Sequence, residues 1–294
     1  MNTRLQKTLL SAALLAAASG AYAADAPASD HTFTGNFGLY SDYRFRGISQ
    51  TYLQPALQGG LDYSHSSGVY IGLWSSNVSS NLYQNGNGQE VDLYLGFKKE
   101  LVKDFTVDGG FLQYYYPAAK YGNGATVQPQ GAGQKYDNRE LYVAMTYKWL
   151  ALKYSHAITD YFGVNQNTYG GYCGLNGDGS APTTGCIATN RGGSKGSGYI
   201  DLTGTFPITD KFSLVAHYGH TKVKNYGELS YSDWKLGATY DLGGWILGAS
   251  YIDTNAKERF YRYGQAAATP TGANTAGVKD PSKSTVVLSI SKTF

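Results

Sequence analysis

The chain is short of cysteine, methionine and long apolar runs. Its two cysteines among 294 residues are too few for a disulfide scaffold, and without a Cys-x-x-Cys pair they carry no dithiol redox motif. Net charge is only +3, and no basic tract is present, which argues against a nucleic-acid partner. Past the first eighteen residues no apolar run approaches the ~18 residues that a spanning helix needs. An inner-membrane helical protein is thereby excluded. Glycine-rich stretches such as Gly122-Asn-Gly124 lie in loops and not between a strand and a helix, so no phosphate cradle is indicated.

The N-terminus reads as a leader. Arg4 and Lys7 form a short basic region, and Thr8 to Ala18 is apolar but too short to cross a bilayer. Ala21-Tyr22-Ala23 has the small-x-small form of a signal-peptidase site. The expected organisation is a signal peptide, residues 1–23, followed by a single all-β domain, residues 24–294.

What the chain has in abundance is tyrosine (27) and glycine (38). Aromatic girdles and a polar interior are features of outer-membrane barrels. Period-two patterning supports about twelve strands. The expected spans are Phe33 to Arg46, Pro55 to Ser64, Val69 to Val78, a fourth around Glu90 to Lys98, Phe105 to Tyr116 and Glu140 to Trp149. Leu150 to Ile158, Tyr199 to Phe206, Phe212 to Thr221, Asp233 to Tyr240, Gly244 to Ile252 and Ser284 to Phe294 follow. In the fourth, Val91, Leu93, Leu95 and Phe97 alternate with Glu90, Asp92, Tyr94, Gly96 and Lys98. In the first, Phe33, Phe37, Leu39, Tyr43 and Phe45 are placed outward. Both faces of Gly244 to Ile252 carry apolar side chains, so its inner face stays open.

The connections alternate long and short from the N-terminus. Short turns on one side and long loops on the other are expected of an even-stranded barrel with both mature termini in the periplasm. A β-sandwich has no reason to sort its loops this way. Most of the strands have the roughly 9–11 residues that a tilted spanning strand requires. The expected fold is therefore all-β: a transmembrane antiparallel up-and-down barrel in the Gram-negative outer membrane.

Four stretches resemble the TorF-type porin family of proteobacteria: Ser41-Asp-Tyr-Arg-Phe-Arg-Gly-Ile-Ser-Gln50, Pro55-Ala-Leu-Gln-Gly-Gly-Leu-Asp-Tyr63, Ser67-Gly-Val-Tyr-Ile-Gly-Leu-Trp-Ser-Ser-Asn77 and Glu90-Val-Asp-Leu-Tyr-Leu-Gly96. The resemblance covers about residues 35–97. It implies an outer-membrane barrel and a pore, with no particular substrate. The closing strand ends on Phe294, which is similar to the assembly signal of such barrels. Lys292 departs from that signal, which usually carries an apolar or aromatic residue there. The partners implied are outer-membrane lipid and lipopolysaccharide, the barrel-assembly machinery and small solutes.

Alternation places Asp42, Arg44 and Arg46 on the lumen face of the first strand, successive members about 6.6–7 Å apart. Glu90, Asp92, Lys98, Glu140, Lys148, Lys153 and Lys235 are placed with them. Such residues either line a constriction that sets ion or solute selectivity or pair with one another to fill a narrow barrel. A twelve-stranded lumen falls between the filled and the open size classes. Tyr70, Tyr94, Tyr114 and Tyr142 also face inward, where filling space is favoured over stacking on sugars. Trp74, Trp149, Trp234 and Trp245 suit interface girdles.

Cys173 and Cys186 share the longest loop, and an oxidising compartment favours a disulfide between them. Closing a ring of that size contributes about 3 kcal/mol. Asn176-Gly-Asp-Gly179 reads as turn chemistry and not as a calcium loop. His217 and His220 fall on opposite faces of one strand, as do Ser155 and His156, so neither pair converges on a metal or a nucleophile. No metal, cofactor or catalysis is expected. Passive diffusion of small hydrophilic solutes or ions is the primary expectation. A closed structural or surface-interaction barrel is the alternative, and an outer-membrane hydrolase a more distant one.

Overall fold

A computed structural model describes residues 29–122, 129–131, 133–262, 267–269, 272–274 and 278–294. The expected leader, residues 1–23, lies outside the described residues. Twelve antiparallel strands close into one barrel. They are β1 (His31–Tyr40), β2 (Ala56–His65), β3 (Val69–Asn77), β4 (Gln89–Val102), β5 (Phe105–Tyr115) and β6 (Asn138–Tyr147), then β7 (Leu150–Ala157), β8 (Gly198–Pro207), β9 (Phe212–Lys222), β10 (Tyr231–Asp241), β11 (Trp245–Thr254) and β12 (Thr285–Thr293). Each strand pairs with its neighbour in the chain. β12 returns to β1, with Leu39 opposite Ile290 and Phe37 opposite Lys292. Closure leaves no strand edge, so every ladder hydrogen bond is made within the protein, as hydrocarbon surroundings demand.

The usual relation of inside and outside is inverted. Leu61, Val143 and Leu236 are 68%, 62% and 66% exposed on the outer wall, while Glu90, Asp92 and Glu140 are buried inside. A continuous apolar belt of this kind marks a lipid-facing surface. Trp149, Trp234 and Trp245 stand outward near strand ends, where amphipathic rings suit the interface. Trp74 does not join them: it is buried, with its ring 5.4 Å from that of Tyr43. It lies on the same face of β3 as Tyr70, which bonds Asp108 of β5 along the inner wall. β11 resolves its two apolar faces, with Trp245, Leu247 and Tyr251 outward and Ile252 buried inward.

Loops are sorted by end. Residues 66–68, 103–104, 148–149, 208–211 and 242–244 are short turns at one rim. The described residues of 41–55, 78–88, 116–137, 158–197, 223–230 and 255–284 form the long connections at the other. The described termini meet at the short-turn rim, where the Gly35 and Phe294 backbones exchange hydrogen bonds of 3.2 and 2.8 Å.

The first strand is shorter than its sequence pattern. It ends at Tyr40, and the chain then turns into the barrel as a small hairpin, Arg44–Phe45 against Ile48–Ser49. Tyr43 and Phe45, expected outward, are instead packed inside, Tyr43 against Trp74 and Phe45 against Tyr114 and Phe162. Alternation cannot distinguish a continuing strand from a hairpin of the same period. What ends the strand is Asp42, whose carboxylate gathers the loop's donors around itself. The long loops fold over this hairpin, so the aromatic core sits in the loop-side half of the lumen. Tyr83 stacks on Tyr116 at 4.1 Å and Tyr121 on Tyr136 at 4.0 Å.

Candidate functional site

The inward hairpin organises the site. Asp42 accepts hydrogen bonds from Ser49 Oγ (2.6 Å), Thr51 Oγ1 (2.9 Å) and Arg44 Nε (2.6 Å). Arg44 Nη1 also donates to the carbonyls of Gly47, Pro281 and Lys283, tying the hairpin to the last long loop. Asp42 and Arg44 therefore brace the loop rather than stand on a strand wall. At the hairpin tip Arg46 and Gly47 have φ of 47° and 80°, the double left-handed pair of a tight primed turn. Gly47 is required twice over, because a Cβ there would lie 2.3 Å from Thr254 Cγ2 and 2.7 Å from Asp233 Cβ.

That turn aims Arg46 across the lumen. Its Nη2 donates to both oxygens of Glu140 (2.9 and 2.7 Å), and Nη1 donates to Tyr161 Oη at 3.1 Å. The guanidinium carbon lies 4.7 Å from the Phe45 ring centre and 4.3 Å from that of Tyr199. Planar stacking with hydrogen bonds to a carboxylate is what arginine does and lysine cannot. Glu140 also accepts from Asn138 Nδ2 at 3.1 Å. Deeper under the aromatic cover, Glu90 accepts from Tyr43 Oη at 3.2 Å. Asp92 is fully buried on the same face of β4.

Below this plug β8, β9 and β10 set a second polar layer. His217 Nε2 lies 2.8 Å from Asp233 Oδ2, and its Nδ1 lies 2.9 Å from Thr203 Oγ1. The Thr203 hydroxyl donates to Asp201 at 2.7 Å. This geometry suits a ring that donates from both nitrogens. Lys153 stands opposite Asp201 in the β7–β8 register, and Lys235 opposite His217 in that of β9–β10. Toward the short-turn rim, Tyr94 donates to Asp62 at 2.5 Å, and Tyr70 bonds both Asp108 (2.7 Å) and Tyr142. These rings lie flat on the wall because glycine faces them. A Cβ on Gly72 would sit 2.4 Å from the Tyr94 ring, and one on Gly96 would sit 2.4 Å from Tyr70 Oη.

Of the ten charged positions read from the sequence, Arg46, Glu90, Asp92, Lys98, Glu140, Lys153 and Lys235 have their side chains inside the barrel. Lys98, Lys153 and Lys235 are half-buried there, and none belongs to an ion pair among the described residues. The Lys153 ammonium lies 4.2 Å from the Tyr142 ring centre. Lys148 is the exception: β6 ends at Tyr147, and Lys148, at φ 52°, is exposed in the turn that follows. Its N–H donates to Asp104 O at 2.9 Å, so the turn and not the wall sets its place. Asp62, Asp108, Asp201, His217 and Asp233 complete the lumen and were missed as a set. The alternation that exposes Leu61 and Leu236 also holds Asp62 and Asp233 inward, each an odd number of residues away.

The remaining sequence motifs are dispersed among the loops and the two faces of the wall. Cys173 and Cys186 are disulfide-bonded, and Arg259 donates to the Cys173 carbonyl (2.6 Å) and the Gly185 carbonyl (2.7 Å). Asn176 to Gly179 forms a turn in which Asp178 accepts from the Ser180 N–H and hydroxyl. Ser155 is buried inside while His156 is exposed outside, and His217 and His220 are divided in the same way.

A closed antiparallel barrel with an apolar outer wall and a charged, aromatic lumen is a membrane-spanning β-barrel. The chain belongs to the family described as "Bacterial protein of unknown function (Gcw_chp)", whose model matches residues 24–294. No curated protein matches it. Among solved structures the chain is similar to the KdgM porin, at 5% identity and a TM-score of 0.46, over 89% of this chain and 98% of that one. It is similar to the NanC porin at 12% identity and a TM-score of 0.43, over 90% and 99%. An outer-membrane channel from Pseudomonas putida F1 matches at 10% identity and a TM-score of 0.42, over 92% and 100%.

Proposed function

We propose that this barrel sits in the Gram-negative outer membrane and passes small hydrophilic solutes or ions, with the hairpin at Arg46 as its constriction. The observation that carries the reading is the charge distribution inside. Lys98, Lys153 and Lys235 are half-buried in the lumen and outside any ion pair among the described residues, while the Glu90, Asp92 and Glu140 carboxylates are sealed beneath the hairpin. A structural plug would pair its charges, whereas a conducting path keeps some available to the permeating species. Asp62 and Asp108 are likewise half-buried and outside any ion pair among the described residues, so the path offers charge of both signs to a permeating ion. The TorF-type resemblance of residues 35–97 agrees with this reading, as does a leader at residues 1–23 that would deliver both termini to the periplasm. Phe294 would engage the barrel-assembly machinery, and the apolar belt would take outer-membrane lipid, lipopolysaccharide included. Catalysis has no part in this reading.

A second reading, a barrel that is shut at rest, also has its own observation. The loop-side half of the lumen is filled by stacked tyrosines around a cavity of about 120 Å³. Single-channel recording of the refolded mature protein decides between them. A pore gives stable steps whose ion selectivity shifts toward cations in Lys153→Gln and Lys235→Gln. A resting plug gives no steps in the natural chain and steps only in Arg46→Ala. An inserted protein silent in all these forms ends the porin reading.

A further inference from the structure

The outer wall of β7, β8 and β9 carries a graded surface at its loop-side end. Residues directly opposite one another in an antiparallel ladder point to the same side, so the register orders this surface in rows. The lowest row holds Leu152, Leu202, Tyr218 and Trp234. About 7 Å higher come Tyr154, Ile200 and His220. The next row is His156, Gly198 and Lys222. Apolar and aromatic side chains thus give way upward to basic groups, as the hydrocarbon and interface of a bilayer give way to the headgroups.

Above the third row the surface opens into a cleft lined by His156, Gly193, Lys195, Gly196, Lys224 and Asn225. Gly196 lets the basic groups converge: a Cβ there would lie 3.6 Å from Lys224 Nζ and 3.9 Å from His156 Cε1. Gly198 leaves a notch between His156 and Lys222, and the Tyr154 hydroxyl reaches over it, 2.7 Å from where a Cβ would stand. Lys195, Lys222 and Lys224 are exposed, and none belongs to an ion pair among the described residues. The nearby acids are engaged. Asp160 accepts from the Lys195 N–H (3.0 Å) and Asn165 Nδ2 (3.3 Å), and Glu228 is taken by Arg191. Three ammonium groups and an imidazole at the lipid boundary attract an anion that is itself attached to hydrocarbon.

We infer that this rim is a binding site for the phosphorylated headgroup of an outer-leaflet glycolipid, with the acyl chains lying along Leu152 and Leu202. The site rests on the membrane-barrel reading above and gives that reading a particular lipid contact. It is also independent of whether the lumen conducts.

The test is retention of bisphosphorylated lipid A by the refolded barrel, measured by native mass spectrometry after reconstitution into phosphatidylcholine nanodiscs. The triple variant Lys195→Ala, Lys222→Ala, Lys224→Ala is expected to retain at least about tenfold less. A control that removes the same charge from the short-turn rim, Lys99→Ala, Lys103→Ala, Lys211→Ala, is expected to match the natural chain. Fully dephosphorylated lipid A is expected to be lost by all three proteins. Equal retention by both triple variants, or equal retention of the dephosphorylated lipid, overturns the site. Displacement of the lipid by stoichiometric inorganic phosphate also overturns it, because the anion alone would then be recognised. If the natural chain fails to enter the nanodisc, the membrane reading itself has failed, a result visible before any lipid is counted.

Discussion

At the scale of single residues the contact of Arg46 with Glu140 ties the hairpin to β6. Arg46 gives both Glu140 oxygens a hydrogen bond while its plane stacks on Phe45 and Tyr199. Both partners are almost fully buried, so deleting one leaves the other charge without compensation, at a cost of about 3–5 kcal/mol. Replacing both removes that uncompensated charge as well. Equilibrium unfolding of Arg46→Ala, and of Arg46→Ala with Glu140→Gln, is therefore expected to show the double variant recovering most of the stability lost by the single one. If the double variant loses as much as the single one, the contribution of Arg46 is packing and not charge compensation. This pair was legible in the sequence only as two lumen charges. Their contact depends on a loop leaving the strand at Tyr40, and period-two patterning contains no information about that.

Among elements, the strands were legible and the loops were not. A strand's two faces see lipid and lumen, so its pattern is set by the wall alone, and all twelve expected strands have counterparts. Boundaries moved where a turn residue overrode the alternation, as at Asp42 and at Lys148. A loop's fold depends on partners far away in the chain. Arg191, in the loop before β8, reaches Glu228, in the loop before β10, at 2.6 and 2.8 Å. Burial pushes the Glu228 carboxyl up, but the hydrogen bonds and charge of Arg191 outweigh it and hold the group below its ordinary range. A carboxyl whose folded value is depressed stabilises the folded arrangement above its unfolded value, and that contribution disappears as pH falls through the folded value. The contact between these loops is thus complete above about pH 4.3 and is lost as pH falls further, through the lower folded value. Limited proteolysis is expected to nick residues 223–230 faster at acid pH in the natural chain. In Glu228→Gln it is expected to nick them at one raised rate throughout. A variant that keeps the natural pH profile would assign the transition to another group.

For the molecule as a whole, closure and recognition meet at the last strand. Phe294 shares its backbone with β1 through Gly35, at 2.8 and 3.2 Å, and these bonds do not depend on the identity of the side chain. The ring itself is 67% exposed, with the Lys292 ammonium 5.2 Å from its centre. It buries little surface against the barrel, so its removal falls in the class of surface substitutions, within about 0.5 kcal/mol. The proposed role in assembly would make this ring a recognition element with little part in the stability of the finished barrel. Two measurements on Phe294→Ala separate these roles. Unfolding of the refolded protein is expected to match the natural chain. The heat-modifiable folded form recovered from outer membranes of expressing cells is expected to fall several-fold. A parallel fall in both would make Phe294 a closing residue of the barrel. No fall in cells would move the assembly signal upstream, to the outward row of Val286, Leu288 and Ile290, where the lipid-facing pattern is unbroken and Lys292 no longer intervenes.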